Sequence, residues 1–178
     1  MQRTKEAMGN SQDVKGAKPP LQTDLQTLVA GLNQDLAGEY QAILMYIHYS
    51  ATITGPFRRE LRALFQAEIA DEQMHALFLA DKITALGGEP TTDAPKVPDA
   101  GEPREMLRKT LAAEERAIRG YRERIRQAET FGDIALKVNQ LADETRHKEQ
   151  IERILVGWDD LEDKRKIDAR WQDDGGQG

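Results

Sequence analysis

The 178-residue chain is expected to fold as an all-α four-helix bundle with a long crossover between helices two and three. Three observations point there. Apolar residues recur at steps of three and four along four separate segments, the spacing of one helix face. Ala, Leu, Glu, Arg and Gln abound while aromatics make up only 6% of residues, a helix-forming composition. The breaks between segments also differ: two are short and contain glycine, and one is long and proline-rich.

Residues 1–20 read as a flexible N-terminal tail closed by Pro19-Pro20, residues 21–160 as the bundle and residues 161–178 as a polar C-terminal tail. Helix one is expected from Leu21 to about Thr54, with Leu25, Leu28, Leu32, Leu36, Ile43 and Tyr46 on its apolar stripe. Gly55-Pro56 ends it and opens helix two, which carries Phe65, Ile69, Leu79 and Ile83 and stops at Gly87-Gly88. Helix three is expected from Glu102-Pro103, through Leu107, Leu111, Ile118 and Tyr121, to a break at Phe131-Gly132-Asp133. Helix four carries Ile134, Val138, Leu141, Ile151 and Ile154, and its pattern fades after Trp158, with a further short helix expected around Ile167–Trp171.

Two tight connections make antiparallel neighbours. The connector from Glu89 to Gly101 has about 13 residues and can reach ~43 Å at ~3.3 Å per residue. A helix of about 29 residues is ~44 Å long. The connector is therefore just long enough to span the bundle and set helix three parallel to helix two.

Composition excludes several classes. No apolar run approaches the ~20 residues of a membrane span. The absence of cysteine removes disulfides, iron–sulfur clusters and thiolate metal sites. The start of the chain lacks the layout of a secretion signal, so a cytoplasmic location is expected. A net charge of -6 argues against general nucleic-acid binding. Lys5, Lys15 and Lys18 stand beside Glu6 and Asp13, and DNA is not an expected partner.

The chemistry lies in two Glu-x-x-His motifs, Glu72–His75 and Glu144–His147, in a chain with three histidines. A spacing of three sets both side chains on one helix face, where they can share an ion. Both motifs point into the apolar stripe: Phe65 and Ile69 precede Glu72, and Leu141 precedes Glu144 while Ile151 follows it. Glu39 continues Leu32 and Leu36, and Glu114 continues Leu107 and Leu111, whereas Glu115 falls in register with arginines. Each inward glutamate sits near the middle of its expected helix, so the four should share one level. Four carboxylates cannot stay charged together in a dry core without cations, and two divalent ions would neutralise them. The donor set suits iron or manganese. We expect Glu39 and His75 on one ion, Glu114 and His147 on the other, and Glu72 and Glu144 bridging. His48 and the arginines from Arg116 to Arg126, with Glu115, Glu123 and Glu129, read as solvated surface.

From Leu25 to Leu155 the chain resembles the bacterioferritin branch of the ferritin-like superfamily. The motifs are Leu32-Asn33-Gln34-Asp35-Leu36 with Glu39 and Tyr46, Ile69-Ala70-Asp71-Glu72-Gln73-Met74-His75-Ala76, and Ala142-Asp143-Glu144-Thr145-Arg146-His147. The resemblance implies a ferroxidase centre of two iron ions per subunit, with Fe(II) and dioxygen or hydrogen peroxide as reactants and iron storage or detoxification as the outcome. Tyr46, one turn beyond the ligands, would support them and could donate an electron. Gln73 stands where that family carries a haem-binding methionine, so no haem is expected. The tail reads Glu162-Asp163-Lys164-Arg165-Lys166 where an apolar fifth helix would line the channels of a twenty-four-subunit shell. A homo-oligomer is expected, with a dimer, a twelve-subunit shell and a twenty-four-subunit shell left open. A peroxide-consuming di-iron or di-manganese protein without a cage, and a DNA-protecting mini-ferritin, are the competing readings.

Overall fold

The computed structural model describes residues 20–129 and 138–174, with side chains described over 24–128 and 141–163. The expectations for residues 1–19, for the Phe131-Gly132-Asp133 break and for Ile134 lie outside the described residues. The described residues form four helices and no strand: α1 (Pro20–Thr52), α2 (Arg58–Ala85), α3 (Pro103–Glu129) and α4 (Val138–Asp174).

Helix ends follow the punctuation in the sequence. Gly55 takes a φ of 90° between α1 and α2, a backbone conformation that side chains disfavour. Beyond α2, Gly87 takes a φ of 77°. The Gly88 N–H donates to the Ile83 carbonyl and the Gly87 N–H to the Thr84 carbonyl, each at 2.9 Å, satisfying two carbonyls that the helix end leaves bare. Pro103 opens α3, where its missing N–H costs no helical hydrogen bond.

Polar side chains of α1 strap the connector between α2 and α3. Asn33 donates to the Glu89 carbonyl at 3.1 Å and accepts from the Thr91 N–H at 2.7 Å. Further along, Gln41 donates to the Lys96 carbonyl at 2.7 Å and the Tyr49 hydroxyl to the Pro98 carbonyl at 2.6 Å. The connector thus runs along α1 in the same direction, returning the chain to the end where α2 began. Helix α3 starts there and lies parallel to α2, as a long crossover requires.

Two apolar clusters fill the bundle ends. One joins Met45, Tyr46, Tyr49, Phe65, Leu107 and Ile151. The other joins Leu28, Leu32, Leu36, Leu79, Ile83 and Tyr121. Burying each such side chain contributes roughly 1.5–3 kcal/mol, so these clusters hold the helices together.

Two features depart from the sequence reading. Helix α4 continues without interruption to Asp174, past Trp158 and through the segment expected as a polar tail with a separate short helix. The apolar stripe marks only the part of a helix that meets the bundle, and α4 outgrows it. The second departure is Arg124, which is 9% exposed and packed against α1 rather than placed on a solvated face.

Candidate metal centre

Between the two apolar clusters lies a layer of charge. Glu39, Glu72, His75, Glu114, Glu144 and His147 are each 1–3% exposed. They form two overlapping foursomes: Glu39, Glu72, His75 and Glu144; and Glu72, Glu114, Glu144 and His147. Within each, one donor atom per residue lies within 4.8 Å of the others. All six residues singled out from the sequence meet here, with Glu72 and Glu144 common to both groups.

The layer is unsatisfied as it stands. Among the described residues, both oxygens of Glu72, Oε1 of Glu144, and Nδ1 of His75 and His147 are buried without a hydrogen-bond partner. They are nevertheless crowded: His75 Nδ1 lies 2.9 Å from Glu144 Oε1 and 3.3 Å from Glu72 Oε2. His147 Nδ1 lies 3.8 Å from both Glu72 Oε1 and Glu114 Oε2. An orphaned buried polar group costs about 1–3 kcal/mol and a charged one more. Lone pairs that converge without pairing form an arrangement that could hold a cation. The oxygen-rich donor set with two imidazoles fits two ions of the iron or manganese kind.

The outward sides of these groups are paired. Tyr46 donates a short hydrogen bond to Glu114 Oε1, and Tyr121 donates to Glu39 Oε1 at 2.5 Å. His75 Nε2 faces Asp143 Oδ2 at 3.4 Å. His147 Nε2 faces Glu68 Oε2 at 2.6 Å and Asp71 Oδ2 at 3.5 Å. A carboxylate at Nε2 holds a proton there, so that in the neutral imidazole the Nδ1 lone pair faces inward.

Tyr121, Asp71, Asp143 and Glu68 were not assigned these roles from the sequence. A signal existed for three of them: Glu39 of α1 and Glu114 of α3 are each followed seven residues later by tyrosine, and each Glu-x-x-His of α2 and α4 is preceded by aspartate. Glu68, one turn before Glu72, is 7% exposed and lies on the same buried stripe. Gln73 is exposed on the outer side of α2, as is His48 on α1.

Proton affinities reflect the crowding. Burial, then the charge of Glu72, holds the Glu39 carboxyl well above its ordinary range. Burial and a hydrogen bond with Glu114 raise that of Glu144 as well. Burial pushes Glu114 up, but its neighbours Glu144, His147 and Tyr46 outweigh that and move it down. Burial pulls His147 down, but Glu114 and Glu68 outweigh it and push the imidazole up to about 10. His75 is raised as Glu72 and Asp143 overcome burial. Burial and neighbouring carboxylates raise both phenols, of Tyr46 and Tyr121, so they remain donors. Protons partly stand in for the missing positive charge.

A bundle with this carboxylate–imidazole layer defines a protein of the ferritin-like type. The ferritin-like domain model matches residues 29–159, and the chain belongs to that family. Among solved structures, a ferritin-like, diiron-carboxylate protein from Bacillus anthracis str. Ames is 46% identical, with a TM-score of 0.72 over 74% of this chain and 97% of its own. A dodecameric thioferritin, the bacterioferritin-related protein from Bacteroides fragilis, is 24% identical with a TM-score of 0.69 over 81% of this chain and 94% of its own, a likeness of fold. No curated protein matches the chain.

Proposed function

We propose that the protein is a ferroxidase that oxidises Fe(II) with dioxygen or hydrogen peroxide and serves iron storage or detoxification. In this reading Glu39 and His75 hold one ion, Glu114 and His147 hold the other, and Glu72 and Glu144 lie between the two. The observation that carries it is the set of buried, unpartnered donor atoms facing one another at mid-bundle. Bound iron supplies the electrons, one from each ion.

The chain's own residues do the rest. Glu68, Asp71 and Asp143 fix the imidazoles so that Nδ1 faces inward. Tyr46 and Tyr121 orient Glu114 and Glu39 through their hydroxyls and bring phenols close enough to act as electron donors. The apolar clusters on either side close the reacting layer off along the bundle axis. Exposed Leu44 and Ile47 of α1 with Met74 and Leu77 of α2 suit a contact between copies of the chain. The Bacteroides fragilis relative of this fold is described as dodecameric, and a shell would give ferric product a place to collect.

The test is aerobic addition of Fe(II) to the metal-free protein, followed by ferric absorbance and by the mass of the particle in solution. A rapid phase of two Fe(II) per chain is expected, slowed more than about 100-fold in E72A and E144A, since losing even a ligand's supporting partner costs 10–100-fold. Oxidation at the same rate in both variants as in the native chain would refute the reading.

A further inference from the structure

A cavity of about 350 Å³ runs between α1 and α3. Small residues leave it open: Gly38 and Ala42 on α1 face Ala113, Ala117 and Gly120 on α3. Its lining reaches Glu39, Glu72, Glu114 and Glu144, so it leads to the charged layer. It also includes Asp35, one helical turn before Glu39, and Arg124, one turn beyond Gly120. These last two have no part in the centre described above.

Their seating is unusual. A methyl group on Gly31 would overlap the Arg124 guanidinium, and one on Gly120 would overlap the Asp35 carboxylate. Each charged group therefore rests on a glycine of the opposite helix. Arg124 is 9% exposed and the Asp35 side chain 12%. Arg124 Nε stands 3.8 Å from Asp35 Oδ2, and neither atom makes a hydrogen bond among the described residues. A pair retained for stability would gain from the shorter, aligned bonds that arginine and carboxylate readily form. Burying both charges so loosely costs stability that an apolar pair would not.

We propose that Asp35 and Arg124 gate the admission of divalent cations through the α1–α3 cleft. Asp35 is the first carboxylate a cation engages, and Arg124 is the positive latch it displaces before passing to Glu39, ~6 Å further along the helix at ~1.5 Å per residue. The inference rests on the metal-centre reading above. It requires the two charges to act in opposite senses, because one attracts the incoming ion and the other repels it.

Stopped-flow mixing of Co(II) with the metal-free full-length protein, read by visible absorbance of the bound ion, tests this. The native chain should take up two Co(II). D35N should slow uptake at least about fivefold and R124Q should speed it by about as much, both at unchanged final stoichiometry. A residue pair that served only packing would shift both variants the same way. D35N filling as fast as the native chain, or both variants slowing, overturns the gate while leaving the centre intact. If D35N does not fold, as judged by circular dichroism, R124Q decides: faster filling supports the gate, and equal or slower filling overturns it. Failure of the native chain to bind two Co(II) overturns the metal reading itself, and the gate with it.

Discussion

The α1–α2 half of the bundle and the α3–α4 half carry the same parts in the same order, but they surround them differently. Each half offers a glutamate, a tyrosine seven residues later, and then Asp-Glu-x-x-His. The parts are exchanged: Tyr46 bonds Glu114 while Tyr121 bonds Glu39, and Asp143 faces His75 while Asp71 faces His147. Neither half can position its own ligands. The centre forms only when the halves dock, so the fold and the site are one cooperative event.

The difference lies at the histidines. Among the described residues, His147 Nε2 has Glu68 at 2.6 Å beside Asp71, whereas His75 Nε2 has Asp143 at 3.4 Å. Glutamine stands four residues before Glu144, where α2 has Glu68. Correspondingly Glu114 releases its proton more easily than an ordinary glutamate and Glu39 holds on to its own. If these residues are the ligands proposed above, similar donors in unlike settings would make two unequal sites.

The largest effect should fall on what the halves share. E72Q or E144Q is expected to reduce Co(II) capacity from two ions per chain to none, while E39Q or E114Q leaves one ion bound, as measured by equilibrium dialysis. If all four variants lose the same amount, the two foursomes do not share their central pair. Next comes the asymmetry. E68Q should weaken one of the two binding steps by about 10–100-fold, the usual loss when a carboxylate behind a ligating histidine is removed, and D143N should weaken the other step less. Equal losses in a calorimetric titration would remove the distinction drawn above.

A smaller effect concerns pH. Burial raises the Asp35 carboxyl from 3.8 to about 6 despite Arg124, and Glu39 and Glu144 are raised too. Groups with raised values bind more protons folded than unfolded, so their contribution is full below the unfolded value and disappears as pH rises through the folded one. Glu114, lowered, contributes in the opposite direction. The three raised carboxyls are buried, whereas of the lowered ones Asp99 and Glu123 are open to solvent and contribute little, so thermal melts of the metal-free protein should fall in midpoint from about pH 4 to beyond pH 6. With Mn(II) bound that slope should flatten, since cations then replace the protons; an equal slope with and without metal would speak against this. The smallest effect is a control on the α4 surface. Arg153 and Glu149 pair at 3.4 Å in solvent, and R153A should change stability by less than about 0.5 kcal/mol in the same melts.

Much of this was legible in the residues. Glu39, Glu72, Glu114 and Glu144 interrupt apolar stripes at helical spacing, and a buried charge announces itself because the pattern around it is oily. The crossover followed from connector length, and glycine marked both turns that the structure describes. What escaped had no such contrast. Arg124 lies among arginines that do face solvent, and only the glycine opposite it on α1 makes room for its burial. The extension of α4 to Asp174 was hidden because a helix beyond the bundle has no partner to demand an apolar face. Glu68 was missed because its partner, His147, lies on another helix, and spacing within one segment says nothing of what stands across from it.

Crystals soaked in Mn(II) and measured for anomalous scattering would put the central claim to its most direct test. Two strong peaks are expected between Glu72 and Glu144, one beside His75 and the other beside His147. A map with no peak inside the bundle, and these six side chains drawn together by hydrogen bonds alone, would contradict it.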